Sequence, residues 1–161
     1  MSDEESPSYF DKPRSIAASV LFAAGVAAII GSFLDWVVMT PPSILQERLL
    51  PGLEPFNGLE TDDGWIILVT AGVLMLSAVL LFLTKKSLWG WLGFFASMVM
   101  GAVSIADYRG IDTLAFDEER RIGLAADPGF GLTLVVEAAL IGVASSVAGV
   151  AASPRPDEET A

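Results

Sequence analysis

Four uninterrupted apolar stretches, at about 15–38, 65–83, 88–106 and 130–152, constrain this chain more than any other feature. A helix needs about 20 apolar residues to cross the hydrocarbon core of a bilayer, and a helix buried in a soluble core normally stops sooner. Length, not periodicity, therefore predicts an all-α membrane protein with four transmembrane helices spanning 15–152. Composition agrees: of 161 residues, 53% are hydrophobic and 18% charged, against about a quarter charged in an ordinary soluble domain. The flanks differ sharply. Residues 1–14 carry Pro7, Pro13 and many charges, and 153–161 reads "SPRPDEETA"; both are expected to be disordered tails.

Between the second and third stretches only "TKKS", residues 84–87, remains, which forces a tight antiparallel hairpin. The other two connections, 40–64 and 107–129, are longer and acidic. Lys12, Arg14, Lys85, Lys86 and Arg155 flank one side of the predicted bundle, and Arg48, Arg109, Arg120 and Arg121 the other. Cations in a very short loop weigh most in setting orientation. Lys85 and Lys86 therefore place both termini in the cytoplasm and the long loops outside, in a multi-pass protein of the cell membrane. The leader "MSDEESPSYFDKPR" is acidic and the run after it exceeds an ordinary signal-peptide core, so the first helix is expected to be retained.

The net charge of −11 argues against nucleic acid as a partner, since phosphates demand a basic surface. The chain contains neither cysteine nor histidine. Disulfides, thiolate metal sites, Ser-His and Cys-His catalysis, the zinc-metalloprotease motif and haem ligation by His are thereby excluded within it. No catalytic residue and no cofactor is assigned.

Two short patterns recur. "GLETDDGW", residues 58–65, and "GLAADPGF", residues 123–130, both read Gly-Leu-x-x-Asp-x-Gly-aromatic, each at the mouth of an apolar stretch. "SFLDW", 32–36, and "SIADY", 104–108, both read Ser-x-x-Asp-aromatic at the end of the preceding one. Two matches in the same order predict two tandem helical hairpins, related by a pseudo-two-fold axis along the membrane normal.

Local chemistry offers a reading of each pattern. Asp127 is placed as a helix N-cap with Pro128 at the first helical position, and Asp62 or Asp63 in the same part before Gly64 and Trp65. Asp35 and Asp107, at helix C-termini where an anion is disfavoured, would accept from amides near Gly64–Trp65 and Gly129–Gly131 and so clamp each hairpin. Trp36, Trp65, Tyr108 and Phe130 would form an interfacial aromatic belt. A competing reading gathers Asp35, Asp62, Asp107 and Asp127 at the outer mouth as oxygen ligands for a hard cation. Capping needs no further assumption and is preferred, so no metal site is assigned.

Glu137 stands about two turns inside the fourth stretch, in "LTLVVEAALIG". A carboxyl at that depth marks a pathway, a proton site or a buried partner. Its counterpart in the first hairpin is Gly72, so the acid is not repeated. This favours a neutral Glu137 bonded to Ser or Trp of a neighbouring helix, or reaching Arg109. Ala23, Ala27 and Gly31, then Gly93, Ser97 and Gly101, then Ala138, Gly142 and Ser146 recur at four-residue spacing. Such stripes let helix backbones approach closely, within one chain or between chains. Trp89 and Trp91, in "SLWGWLGFF", are expected to anchor the inner interface.

"SFLDWV" and "TDDGWIILV", echoed by "DPGFGLTLVV", resemble small four-helix integral membrane proteins of actinobacterial type, which mostly lack an assigned activity. The resemblance covers the transmembrane core and implies architecture alone. The expected function is that of a non-catalytic structural, accessory or interaction protein of the membrane. It would meet the lipid bilayer and, through its small-residue faces, other membrane proteins or itself. The alternative is a subunit of a small oligomeric transporter or channel using Glu137 and the outer aspartates.

Overall fold

The computed structural model describes residues 11–40, 56–114 and 125–153. Residues 1–10 and 154–161, the larger part of the two expected tails, lie outside the described residues, as do Arg48, Arg120, Arg121 and Arg155; residues 11–14, expected to belong to the N-terminal tail, instead open the first helix, with Arg14 buried. Four long helices dominate: α1 (Asp11–Phe33), α2 (Asp62–Thr84), α3 (Ser87–Leu114) and α4 (Phe130–Ala151). Each contains a segment long and apolar enough to cross a membrane. They form a ring in which α1 packs on α2 and α4, and α3 packs on the same two, while the diagonal pair α2 and α4 barely meet. Every neighbour in the ring is antiparallel. At one end Ala17 and Leu81 surround Gly149, and Val150 lies against Gly90; at the other, Gly31 meets Gly131 and Val135.

Many small residues share the interior with Leu21, Leu74 and Leu132, and many large ones face outward. Ala17, Ala18, Ala24, Ala28, Ala71, Ala78, Ala138 and Ala139 are buried, whereas Phe33, Val69, Leu83, Phe95 and Leu140 are exposed. Lipid tails are as apolar as leucine, so burying leucine brings no advantage there; close backbone approach does. The three small-residue stripes serve this purpose inside one chain. Gly31, Gly93, Ser97, Ala138, Gly142 and Ser146 are buried and Ala27 and Gly101 half-buried, Ala23 alone facing outward. Larger side chains fill the notches the glycines leave: Leu21 and Ser146 border Gly93, Leu74 and Ser97 border Gly142, and Met75 borders Gly25.

Besides starting at Asp11 and Asp62, ahead of the apolar stretches, the helices depart from the hydropathy at two of their C-terminal ends. The first apolar stretch extends to about 38, yet α1 stops at Phe33 and Asp35–Thr40 forms a strand, β1. Val37 and Val38 are β-branched, which favours strand over helix, and Thr40 precedes Pro41, which disfavours helical backbone at the residue before it. The third helix, expected to end near 106, continues to Leu114, because "DYRGIDTL" holds no proline to stop it.

The long connections, expected to be loops, contribute the other two strands of a small sheet. β2 (Phe56–Asn57) and β3 (Ala125–Pro128) flank β1 in the order β2-β1-β3, both antiparallel to it. Val37 pairs with Phe56 on one side and Pro128 on the other; Val38 pairs with Asp127 and Met39 with Ala126. The fold is thus not purely helical: strands from both hairpins close one end of the bundle. At the other end only Lys85 and Lys86 separate α2 from α3. Lys85 adopts the left-handed conformation, with φ 60°, as the residue that ends a helix often does.

Candidate functional site at the sheet-capped end

Trp36 organises this end. It follows α1 directly, is 2% exposed, and donates from Nε1 to the Gly31 carbonyl at 2.9 Å. Its ring lies against Gly58. It is therefore a plug under the sheet and not a member of the interfacial belt. Trp65, Tyr108 and Phe130 do face outward, at 59%, 49% and 71% exposure.

The recurring Gly-Leu-x-x-Asp-x-Gly-aromatic pattern has a different physical content from capping by aspartate. In its first copy Gly58–Glu60 makes a single 3-10 turn, capped by Asn57, whose side chain accepts from the Leu59 amide at 3.0 Å. Thr61, not Asp62 or Asp63, is the N-cap of α2. Its Oγ1 accepts from the Gly64 amide at 3.2 Å and donates to the Gly58 carbonyl at 2.7 Å. A hydroxyl can do both, which a carboxylate cannot. In the second copy Gly129 is the N-cap without a side-chain bond, while Asp127 and Pro128 belong to β3. Pairing with β1 has taken those two residues out of the helix start.

What the copies share is the second glycine and its aromatic neighbour. A Cβ on Gly64 would overlap the Gly58 carbonyl, and one on Gly129 would overlap the Asp35 carbonyl. Gly129 also donates its amide to the Trp36 carbonyl at 2.7 Å. At each mouth another backbone segment crosses against the glycine, and only a missing side chain allows it.

The Ser-x-x-Asp-aromatic copies agree at the serine and then diverge. Ser32 donates to the Ala28 carbonyl at 3.0 Å and Ser104 to the Met100 carbonyl at 2.8 Å, both fully buried. Beyond them α1 breaks and α3 does not. Asp35 is therefore exposed on β1, opposite Asn57, whereas Asp107 is a half-buried residue within a helix. Neither accepts from the amides expected to form a clamp. Asp107 instead turns its carboxyl toward that of Asp63, and its Oδ2 is buried without a donor. Two carboxylates so placed repel each other when both are ionised.

The four aspartates considered as a cation site do not converge. Asp35 and Asp127 are exposed on neighbouring strands, Asp107 faces Asp63, and the Asp62 side chain lies outside the described residues. Among the described residues no three acidic side chains come within reach of one metal ion. The Asp63–Asp107 pair was missed in the sequence because α3 was expected to end before Asp107; the signal available was the unbroken helical stretch after it.

Glu137 is also placed differently. It is exposed on the outer face of α4 and makes no hydrogen bond or ion pair with a described residue. Gly72, its counterpart on α2, is exposed too. The buried serines do not reach it: Ser77 and Ser97 donate within their own helices, to Val73 and Gly93, and Ser146 Oγ is buried in the interior without a partner. Trp89 is half-buried with its Nε1 unpartnered, while Trp91 is exposed and packs edge-on to Phe94. An apolar groove of about 340 Å³ between α1 and α2, lined by Ala18, Phe22, Ala78, Val79, Phe82 and Leu83 among others, suits a lipid tail better than a polar ligand.

The chain matches no protein-family model, no curated protein and no solved structure.

Proposed function

We propose that this chain is a multi-pass protein of the cell membrane, without catalytic activity, that acts as a structural or accessory component and has both termini in the cytoplasm. The observation that carries this reading is the solid interior. Leu21, Ile67, Leu74, Met100, Leu132 and Val135 are fully buried between the helices, so the space along the bundle axis is occupied by apolar side chains. A chain built this way offers surfaces, the sheet at one end and the helix faces around the sides.

The same reading takes the bundle as a duplicated hairpin. Burial follows the proposed repeat: Leu21 and Gly93, Ala24 and Ala96, Ala28 and Met100, Ser32 and Ser104 are buried pairs on α1 and α3. Ile67 and Leu132, Leu74 and Ala139, Ser77 and Gly142, Leu81 and Ser146 are buried pairs on α2 and α4. Two hairpins sharing one burial phase support a pseudo-two-fold along the membrane normal.

A second reading, a subunit of an oligomeric transporter or channel, draws on Glu137. Because that carboxyl faces away from its own bundle, any pathway using it would run between chains. Two measurements separate the readings. Purification in mild detergent, with native mass and identification of stoichiometric partners, is expected to find a defined complex. Reconstitution into liposomes is expected to give no cation or proton flux above protein-free vesicles. Flux that Glu137→Gln abolishes would overturn the accessory reading in favour of transport.

A further inference from the structure

The apolar groove between α1 and α2 has a double. A second groove, of about 240 Å³, runs between α3 and α4 and is lined by Trp91, Phe94 and Val147 among others. The register proposed for the duplicated hairpins pairs Leu21 with Gly93 and Ser77 with Gly142. It also pairs Ser19 with Trp91, Phe22 with Phe94 and Phe82 with Val147, and Ser19, Phe22 and Phe82 all line the first groove. The same recess thus recurs in register in each hairpin, as a built feature would.

The first groove has the section of an acyl chain and not of a helix. Ala18 and Ala78 line it and are buried, whereas Phe22, Phe82 and Leu83 line it and stand exposed. Helices meet in a membrane where small residues let their backbones approach. Rims of this size hold a cylinder about 10 Å across away from the alanines, which a thin methylene chain can reach. One end of the groove is also cationic. Ala17 and Leu81 both border Gly149 and so stand level on α1 and α2; Lys12 comes five residues before the one and Lys86 five after the other. Lys12 lies seven residues before Ser19, on the same face of α1. Both lysines are exposed, and no described acidic side chain stands at this end. With Lys85 they are all the lysines of a chain whose net charge is −11. The second groove has no such pair, since the counterparts of Lys12 and Lys86 are Thr84 and Ala151.

We propose that the groove between α1 and α2 binds one anionic phospholipid. An acyl chain lies over Ala18 and Ala78 between Phe22 and Phe82, and the phosphate sits between Lys12 and Lys86. A free phosphate would gain nothing from the groove, and a lipid without net charge would gain little from the lysines; a charged headgroup on an acyl chain uses both. Basic residues beside a recess between membrane helices recognise lipid headgroups in this way. The groove between α3 and α4, narrowed by Trp91 and without the lysine pair, would take a tail of any headgroup. This assignment rests on the membrane reading but not on the accessory role. Failure of the membrane reading shows as a chain that stays in solution without detergent; failure of the lipid site leaves a membrane-embedded chain that does not distinguish headgroups.

Native mass spectrometry of the full chain in detergent, with equimolar dioleoyl phosphatidylglycerol and dioleoyl phosphatidylcholine added, tests the site. The first lipid bound is expected to be phosphatidylglycerol, by about five- to thirtyfold, the effect of one to two lysines near an anionic headgroup. The double variant Lys12→Gln, Lys86→Gln should bring that preference close to one while lipid still binds. Ser19→Trp places in the first groove the residue found at the equivalent position of the second, and should remove the selective binding with the melting curve unchanged. Val79→Trp, from the opposite wall, should do the same. Because the chain has no cysteine, Ser19→Cys reports what covers the groove in native membranes, and with a thiol-reactive cross-linker it is expected to remain a single chain. The proposal is overturned if the wild type binds both lipids equally, or if the preference survives loss of the two lysines or both tryptophan substitutions. A cross-link from position 19 to a second copy or to another protein overturns it as well.

Discussion

Gly64 and Gly129 hold the least replaceable positions in the recurring pattern, because what presses on each is backbone and not a movable side chain. Gly129→Ala is expected to destabilise the protein by about 1–3 kcal/mol, the usual cost of forcing atoms into a filled space. Gly72→Ala provides the contrast: nothing lies within 4 Å of the added methyl, so helix propensity alone should stabilise by about 0.5–1 kcal/mol. Denaturation of both variants in the same detergent checks this, and equal effects would refute the close-approach account. At this scale the sequence was informative about repetition and less so about cause. The recurring glycines and serines could be read directly, and Ser32 and Ser104 do play one role. Trp36 could not: a tryptophan at the end of an apolar run looks like an interfacial anchor, and only the chain's turn into β1 tucks it under the sheet.

Helix existence followed from apolar length, but helix ends depended on interactions that hydropathy does not carry. Val37 and Val38 are as apolar as the helix before them, so the strand is invisible in a hydropathy profile; its partners stand in distant parts of the chain. The same limitation hid the meeting of α2 and α3 at Asp63 and Asp107. Since α3 continues past Asp107 instead of stopping there, its acid faces another acid and not a row of amides. A carboxamide in its place would supply the donor the contact lacks. Asp107→Asn is therefore expected to raise the melting temperature by about 2–4 °C, the shift that roughly 1 kcal/mol gives in a chain of this length. Asp35→Ala, on the exposed strand, should change it by less than about 1 °C. Parallel thermal melts at neutral pH test the pair, and a comparable loss in both variants would restore the clamp.

For the molecule as a whole, burial of many small residues and exposure of many large ones gives the helices a surface matched to lipid. Ring topology puts Asp11 and Ser153, the outermost described residues, at the end that carries Lys85 and Lys86, and cations in short loops favour the cytoplasmic side. Ser87→Cys, at the exposed start of α3, is expected to resist a membrane-impermeant thiol reagent in intact cells and to react after permeabilisation. Labelling of intact cells would reverse the orientation.

The sheet also imposes an order of events on synthesis. β1 is made with the first hairpin, and β2 can join it as soon as the chain has been made through Asn57. The opposite edge stays unpaired until β3 arrives, just ahead of the last helix. A nascent chain halted before α4 would display an open strand edge of the sort that recruits wrong partners. Gly129, seated on Trp36 and Asp35, fixes β3 and the start of α4 in one contact. Closure of the sheet thus ties the start of α4 to the end of α1 through Gly129.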